Sequence, residues 1–96
     1  MDTPLQSFKV VDTGYVITAS DLGMVLYALG SVTLPFGTQA GFYVTVVNYR
    51  GGTVAITAEG GSVRSASGNT SLTTQWASTT LLKLPDSADC IAIGMP

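Results

Sequence analysis

The stretch from Gly41 to Gly61, GFYVTVVNYRGGTVAITAEGG, decides the fold. It contains two runs rich in β-branched residues, which are typical of strands, on either side of Arg50-Gly51-Gly52. A pair of glycines between two such runs predicts a β-hairpin, because glycine adopts the positive φ angles that a tight hairpin turn requires. The stretch has few side chains that could catalyse a reaction or bind a metal, since its charged residues are Arg50 and Glu59 alone. We therefore expect this element to serve as scaffold and contact surface.

The first of the two runs, from Phe42 to Tyr49, is apolar on both of its faces. Successive side chains of a strand point to opposite sides. One side carries Phe42, Val44 and Val46, and the other carries Tyr43, Thr45, Val47 and Tyr49. The pattern predicts a strand that is covered on both sides.

Short runs separated by turn residues continue along the rest of the chain. Helical spacing is nearly absent, and Thr, Val, Gly and Ser dominate. This pattern predicts an all-β fold, a single small β-sandwich or barrel of jelly-roll type with about eight or nine short strands. Residues 1–8, which include Pro4, are expected to form an extended N-terminal arm, and residues 9–96 a single β domain. The run from Ser20 to Gly23 predicts a turn, or one turn of 3₁₀ helix.

The composition indicates a face that is buried against other chains. Hydrophobic residues make up 46% of the 96 residues, and charged residues only 10%. A typical soluble domain has about 25% charged residues, and a chain of this size has a modest core of its own. The excess of apolar residues therefore favours self-association, which is a common way to stabilise a small domain.

The residues needed for catalysis are nearly missing from the sequence. There is no histidine, and Cys90 is the single cysteine, so that a zinc site, a bound cofactor and a serine or cysteine nucleophile with a histidine base are not expected. Calcium stays open as a metal, but no D-x-D-x-D-G pattern supports it, and we predict no metal site. The six acidic residues each lie beside a predicted turn or terminus. Glycoside hydrolysis requires two carboxylates on either side of the sugar, and no such pair is evident. We expect a protein that is not an enzyme, with Cys90 as a small buried hydrophobic residue.

The sequence also argues against nucleic acid and membrane as partners, the first because of its charge pattern and the second because of its short apolar runs. The four basic residues, Lys9, Arg50, Arg64 and Lys83, are scattered, and the net charge is −2. Nucleic-acid binding requires clustered cations. The most apolar run is interrupted by glycines and Pro35, and it is shorter than the ~18 apolar residues of a spanning helix.

The aromatic residues leave a carbohydrate-binding β-sandwich module open as an alternative. Exposed aromatic rings can stack on sugars, and the candidates are Trp76, Tyr15, Tyr27, Tyr43 and Tyr49. Aromatic residues are equally enriched in cores and in protein interfaces.

Five motifs follow one another in an order that resembles a small all-β module of tailed-bacteriophage virion proteins. They are Asp21-Leu22-Gly23, Thr33-Leu34-Pro35, the run from Val44 to Asn48, the run from Val54 to Ala58, and Ile93-Gly94. Such modules occur in head decoration (cement) proteins and within tail-fibre and tail-spike proteins. The resemblance covers residues 15–94. It departs from the pattern at Cys90-Ile91, where the module often has an aromatic residue.

The resemblance implies a structural and interaction unit, usually a trimer. We therefore expect a non-enzymatic capsid decoration protein, made in the host cytoplasm, that forms a homotrimer on the exterior of the phage head. There it would bind the major capsid protein or other virion proteins and stabilise the lattice. A tail, fibre or neck component is the alternative. The expected interface, whose other interpretation is ordinary core, comprises Met1, Asp2, Thr3, Pro4, Leu5, Tyr43, Val47, Tyr49 and Leu82.

Overall fold

The fold is all-β, as predicted. A computed structural model describes residues 7–85 and 87–96. In order, its ten strands are β1 (Phe8–Val11), β2 (Tyr15–Val16), β3 (Val25–Ala28), β4 (Val32–Leu34), β5 (Tyr43–Asn48), β6 (Val54–Ala58), β7 (Val63–Arg64), β8 (Ser71–Leu72), β9 (Ser78–Lys83) and β10 (Cys90–Ile93). The predicted 3₁₀ turn is confirmed at Ala19–Asp21. Phe8, which the sequence analysis placed in the arm, begins β1.

The strands form two sheets that pack face to face as a sandwich. The six-stranded sheet has the order β1-β3-β5-β9-β10-β7, and the four-stranded sheet has the order β2-β4-β6-β8. The first six strands alternate between the sheets, and within each sheet they pair in parallel. Each pair of consecutive strands therefore forms one coil, and three coils stack on one another. This connectivity differs from that of a jelly roll, in which neighbouring strands are antiparallel.

The later strands complete both sheets mostly with antiparallel pairing. β9 pairs antiparallel with β5 and with β10, and β8 pairs antiparallel with β6. The short β7 pairs in parallel with β10. Since β3 pairs with one edge of β5 and β9 with the other, both hydrogen-bonding edges of β5 are used within the six-stranded sheet.

The predicted hairpin from Gly41 to Gly61 is wrong. β5 belongs to the six-stranded sheet and β6 to the four-stranded sheet, so the two strands do not pair with each other. Residues 49–53 cross from one sheet to the other and form an arch. A pair of glycines marks a reversal of the chain, but it does not determine whether the reversal lies within a sheet or between sheets.

The core lies between the two sheets and consists almost entirely of aliphatic side chains. Along each strand the buried residues alternate with outward ones, as the pleat requires. The largest fully buried hydrophobic side chains are Ile17, Leu26, Leu34, Leu72, Leu81, Val32, Val44, Val46 and Val54. Cys90 is a buried free cysteine, as expected, and burial raises the pKa of its thiol to about 11.

The three arches between the sheets, which are residues 12–14, 29–31 and 49–53 in chain order, also stack on one another. The amide of Gly14, in the first arch, donates to Ser31 O in the second at 2.9 Å, and the amide of Ser31 donates to Thr13 Oγ1 at 3.3 Å. Gly30 lies directly against Thr13: a Cβ atom at position 30 would be 2.3 Å from Thr13 Cβ and 2.9 Å from its Cα. The second arch can therefore stack on the first only with glycine at this position.

Replacing Gly30 with alanine tests this stacking. Gly30→Ala is expected to lower the free energy of unfolding by about 1–3 kcal/mol, because the first two arches must separate to admit a methyl group. Chemical denaturation measures the change. Gly52→Ala is the matched control in the third arch, where a Cβ would meet no atom within 4 Å. Equal losses in both variants would contradict the close stacking.

Candidate interaction surface

The six-stranded sheet presents an apolar surface on the side away from the core. We call this surface the outer face. Its exposed hydrophobic strand residues are Phe8 (63% exposed), Val10 (53%), Tyr43 (49%) and Ile93 (51%). Its half-buried members are Val25, Tyr27, Thr45, Val47, Tyr49, Thr80, Leu82 and Ile91. Among the described strand residues that point outward from this sheet, Arg64 at the β7 edge is the charged one, and it pairs with Asp89 at 2.8 Å.

The structure brings together four of the residues predicted for an interface. Tyr43 and Leu82 are register partners on β5 and β9, and Val47 and Tyr49 lie farther along the same side of β5. None of the four is in the core, since Tyr43 is exposed and the other three are half-buried. The outer side of β5, predicted to be covered, is thus uncovered in the single chain. The remaining predicted residues, Met1 to Leu5, lie outside the described part of the chain.

An aromatic row crosses one corner of the outer face. Its members are Phe8, Tyr27, Tyr49 and Trp76, and successive ring centroids are 5.7, 5.4 and 5.8 Å apart. The rings meet edge to face, at interplanar angles of 60–79°, which is a favourable geometry for aromatic pairs. The row is therefore not a flat stacking platform of the kind considered for sugars.

The interface prediction missed Phe8 and Trp76. They become neighbours of Tyr27 and Tyr49 only through the parallel stacking of β1, β3 and β5, in which Val10 lies beside Tyr27 and Tyr27 beside Val47. No local pattern in the sequence reports such pairing between distant strands. The one available signal was the aromatic character of the two side chains, because aromatic residues are enriched in protein interfaces.

Trp76 has a backbone conformation that is unusual for a bulky residue. Its φ angle is +70°, which makes it the non-glycine residue with positive φ among the described residues. Such a conformation costs about 1–3 kcal/mol, and the ring recovers little through burial because it is 63% exposed. Hydrogen bonds hold the segment in place: Trp76 N donates to Asn48 O at 2.8 Å, and Ala77 N donates to Thr74 O at 3.0 Å.

Asn48 connects the third arch to the segment that carries Trp76. Its side chain is buried, with 1% exposed. Its Nδ2 donates to Gly52 O at 2.6 Å and to Leu72 O at 3.0 Å, and its Oδ1 accepts from Gly51 N at 2.9 Å. Gln75 Nε2 adds a bond to Tyr49 O at 3.2 Å. The side chain of Asn48 therefore fixes the crossing between the sheets and the end of β8, and its backbone oxygen holds the Trp76 end of the aromatic row.

A buried ion pair fixes the other end of the row. Asp21 is fully buried; its Oδ1 lies 2.7 Å from Lys9 Nζ, and its Oδ2 accepts from Tyr15 OH at 2.6 Å and from Thr18 N at 2.9 Å. Burial raises the pKa of Asp21, but the bonds from Lys9, Thr18 and Tyr15 outweigh that effect and hold the pKa below its ordinary value. The same bond to Asp21, with one to Tyr15, raises the pKa of Lys9 to about 12. The cluster ties β1, and with it Phe8, to the second strand and the 3₁₀ turn.

The outer side of the four-stranded sheet has a different chemistry. Its outward positions carry small and hydroxylated side chains, and Thr33 Oγ1 bonds Thr57 Oγ1 there at 2.9 Å. Val16, which is 52% exposed, is its large hydrophobic residue. The sandwich thus has one aromatic, apolar side and one that is covered with hydroxyl groups.

The described residues do not form a metal centre, and the comparisons assign no family. Within residues 7–85 and 87–96, no group of three or more His, Cys, Asp or Glu side chains is arranged to hold a metal ion. No helix in the described part of the chain is long and apolar enough to cross a membrane. No protein-family model matches the sequence, and no similar sequence is found among curated proteins.

Replacing Asn48 tests its connecting role. Asn48→Ala is expected to lower the free energy of unfolding by about 2–3 kcal/mol, because it leaves the buried Leu72 O without this donor and removes two part-buried bonds to the arch. Since Trp76 is the single tryptophan, its fluorescence anisotropy should fall as its segment loosens. Gln75→Ala, which removes one exposed bond, is the control and should cost about 0.5 kcal/mol or less. An unchanged anisotropy in Asn48→Ala would show that Asn48 does not hold the segment.

Replacing Asp21 tests the ion pair through pH. Asp21→Asn is expected to cost about 3 kcal/mol at neutral pH, at the low end for a broken buried pair because Lys9 is partly exposed. The folded-state pKa of Asp21 lies below its ordinary value of 3.8, so the stabilisation is full above that pH and is lost as the pH falls through the folded-state pKa. The stability difference between the two proteins should therefore shrink below about pH 4. Denaturation from pH 2 to 7 measures it, and a difference that does not change with pH would rule out the ionised carboxylate as the source.

Proposed function

We propose that this protein is a non-enzymatic structural protein of a phage virion, a capsid decoration protein that forms a homotrimer through the outer face. The observation that carries the proposal is the chemistry of that face, where aromatic and aliphatic side chains are exposed across the strands with a charge only at one edge. Interface cores are enriched in aromatic residues and depleted of charge in the same way. The trimeric state and the location on the head come from the order of the five sequence motifs.

A second copy of the chain fits this surface better than a partner of different charge. The outer face carries no cluster of charge that would select a complementary partner, and like copies of an uncharged face do not repel each other. Burial of apolar surface contributes about 25 cal/mol per Å². Association would also supply the apolar burial that a domain of this size lacks on its own.

The proposed action on the capsid is thermodynamic. A protein that binds the assembled lattice, and not its separated subunits, shifts the equilibrium towards the lattice by mass action. This action requires a rigid body with a fixed binding surface and no catalytic group. The sandwich provides such a body, since Asn48 and Asp21 fix the third arch and the edge strand β1.

The mass of the full chain in solution tests the use of the outer face. Light scattering behind a sizing column should give three times the mass of one chain. Leu82→Lys and Ile93→Lys should each yield monomers, because an unpaired ammonium would be buried in the interface. Val16→Lys, at an equally exposed position on the four-stranded sheet, is the matched control and should stay trimeric. A wild-type monomer, or dissociation in all three variants alike, would overturn the assignment.

The head location is tested on the virus particles that contain the protein. Antibody labelling of intact particles should mark the whole head, and capsids that carry the protein should withstand higher temperatures than capsids stripped of it. Leu82→Lys should fail to restore this protection, whereas Val16→Lys should restore it. Labelling confined to the tail would replace the decoration role by the alternative of a tail, fibre or neck component, while leaving the trimer intact.

A further inference from the structure

A polar cleft lies at the end of the sandwich, near the connection from β8 to β9. It has a volume of about 360 Å³, and its lining includes Asn69, Thr70, Ser71, Thr73 and Thr74. Ala77 and Pro96 complete the lining together with Gly68. None of the lining side chains is charged. The cleft is separate from the outer face, because its walls come from β8 of the four-stranded sheet and from the loops on either side of that strand.

The hydroxyl groups of this cleft differ from most others in the described part of the chain. Elsewhere they are commonly paired, as in the bonds of Thr33 with Thr57 and of Thr45 with Thr80. Within the described residues, the hydroxyls of Thr70, Ser71, Thr73 and Thr74 have no hydrogen-bond partner in the protein. Four neutral groups that can each donate and accept are thus gathered around one concave surface.

The side-chain amide of Asn69, which also lines the cleft, is fixed by hydrogen bonds. Its Nδ2 donates to Pro96 O at 2.8 Å, and its backbone oxygen accepts from Ser65 Oγ at 2.6 Å. This arrangement fixes the side chain and leaves Oδ1 as an unpaired acceptor. The cleft therefore combines a fixed amide acceptor with hydroxyls that can rotate to match a ligand.

We propose that this cleft binds a neutral carbohydrate. A ligand rich in hydroxyl groups matches a lining of hydroxyl and amide groups, whereas a phosphate or carboxylate ligand would require a cation that the lining lacks. The volume is at the lower end of ligand pockets, which span about 300–1,000 Å³, so it suits a short saccharide segment. Trp76 belongs to the aromatic row and does not line the cleft, although its neighbour Ala77 does.

Glycan binding by the full chain tests this proposal. The probe is an array of neutral and acidic oligosaccharides, followed by calorimetric titration with the neutral oligosaccharide that binds best. The double variant Thr73→Val, Thr74→Val keeps the branched shape of both side chains and removes both hydroxyls. It should weaken binding about tenfold or more, which corresponds to the loss of one to two hydrogen bonds. Thr53→Val is the control, since Thr53 is exposed but does not line the cleft; its affinity should stay within about twofold, well under the tenfold that 1.4 kcal/mol represents.

Each other outcome overturns the proposal. Absence of binding across the array would show that the protein binds none of these carbohydrates. Binding of acidic glycans alone would show that the ligand is not neutral. Full affinity in the Thr73, Thr74 variant, with loss in Trp76→Ala, would move the site from the cleft to the aromatic row. The proposal does not depend on the virion role, because the mass of the same variants in solution reports trimer formation separately.

Discussion

The amide side chain of Asn48 lies at the point where the chain leaves the six-stranded sheet and enters the four-stranded one. Its three hydrogen bonds reach two residues of the third arch and the end of β8, which is 24 residues away in the sequence. An unpaired amide buried at this depth would be costly, so the crossing is stable only when all three partners are in place. In the folded structure the arch, β8 and the segment with Trp76 are therefore joined through this one residue.

The aromatic row depends on two polar clusters, one at each end. Asp21 holds Lys9, and thereby the edge strand that carries Phe8, while Asn48 holds the backbone of Trp76. Between these ends, Tyr27 lies on β3, whose register with β5 is set by the stacked coils, and Tyr49 directly follows β5, where its amide donates to Ala28 O at 3.1 Å. An edge strand that is fixed by an inward-facing charge resists displacement. Exposed aromatic rings are thus presented at fixed positions, which lowers the entropic cost of binding a partner.

The sequence predicted the local elements well and their connection poorly. Alternation along Tyr43–Asn48 and β-branched residues in Val54–Ala58 identified both strands, because the pattern of side chains within a strand reflects its own two faces. The predicted pairing of the two strands was wrong because a reversal within one sheet and a crossing between two sheets look alike in the sequence. The Asn48 bond that ties the crossing to β8 reaches a residue 24 positions along the chain, which the local pattern does not reveal. Among the interface residues, alternation along β5 placed Tyr43, Val47 and Tyr49 on one side, whereas Leu82 was added as an apolar residue and its pairing with Tyr43 was not predicted. Phe8 and Trp76 required the parallel register of three coils, which no local signal reveals.

The two outer sides of the sandwich are suited to different contacts: the outer face to another apolar protein surface, and the outer side of the four-stranded sheet to water. An apolar, aromatic face without charge gains most when water is removed from it, and contact with like copies removes water over its whole area. Hydroxyl groups on the other sheet are satisfied by water or by each other, as Thr33 and Thr57 are, so that side gains little from association and stays wet. The cleft at β8 is built from the second kind of surface. Association through the outer face would therefore leave the cleft open to solvent in every copy, and a trimer would display three such clefts, each able to strengthen the binding of a multivalent ligand through the others.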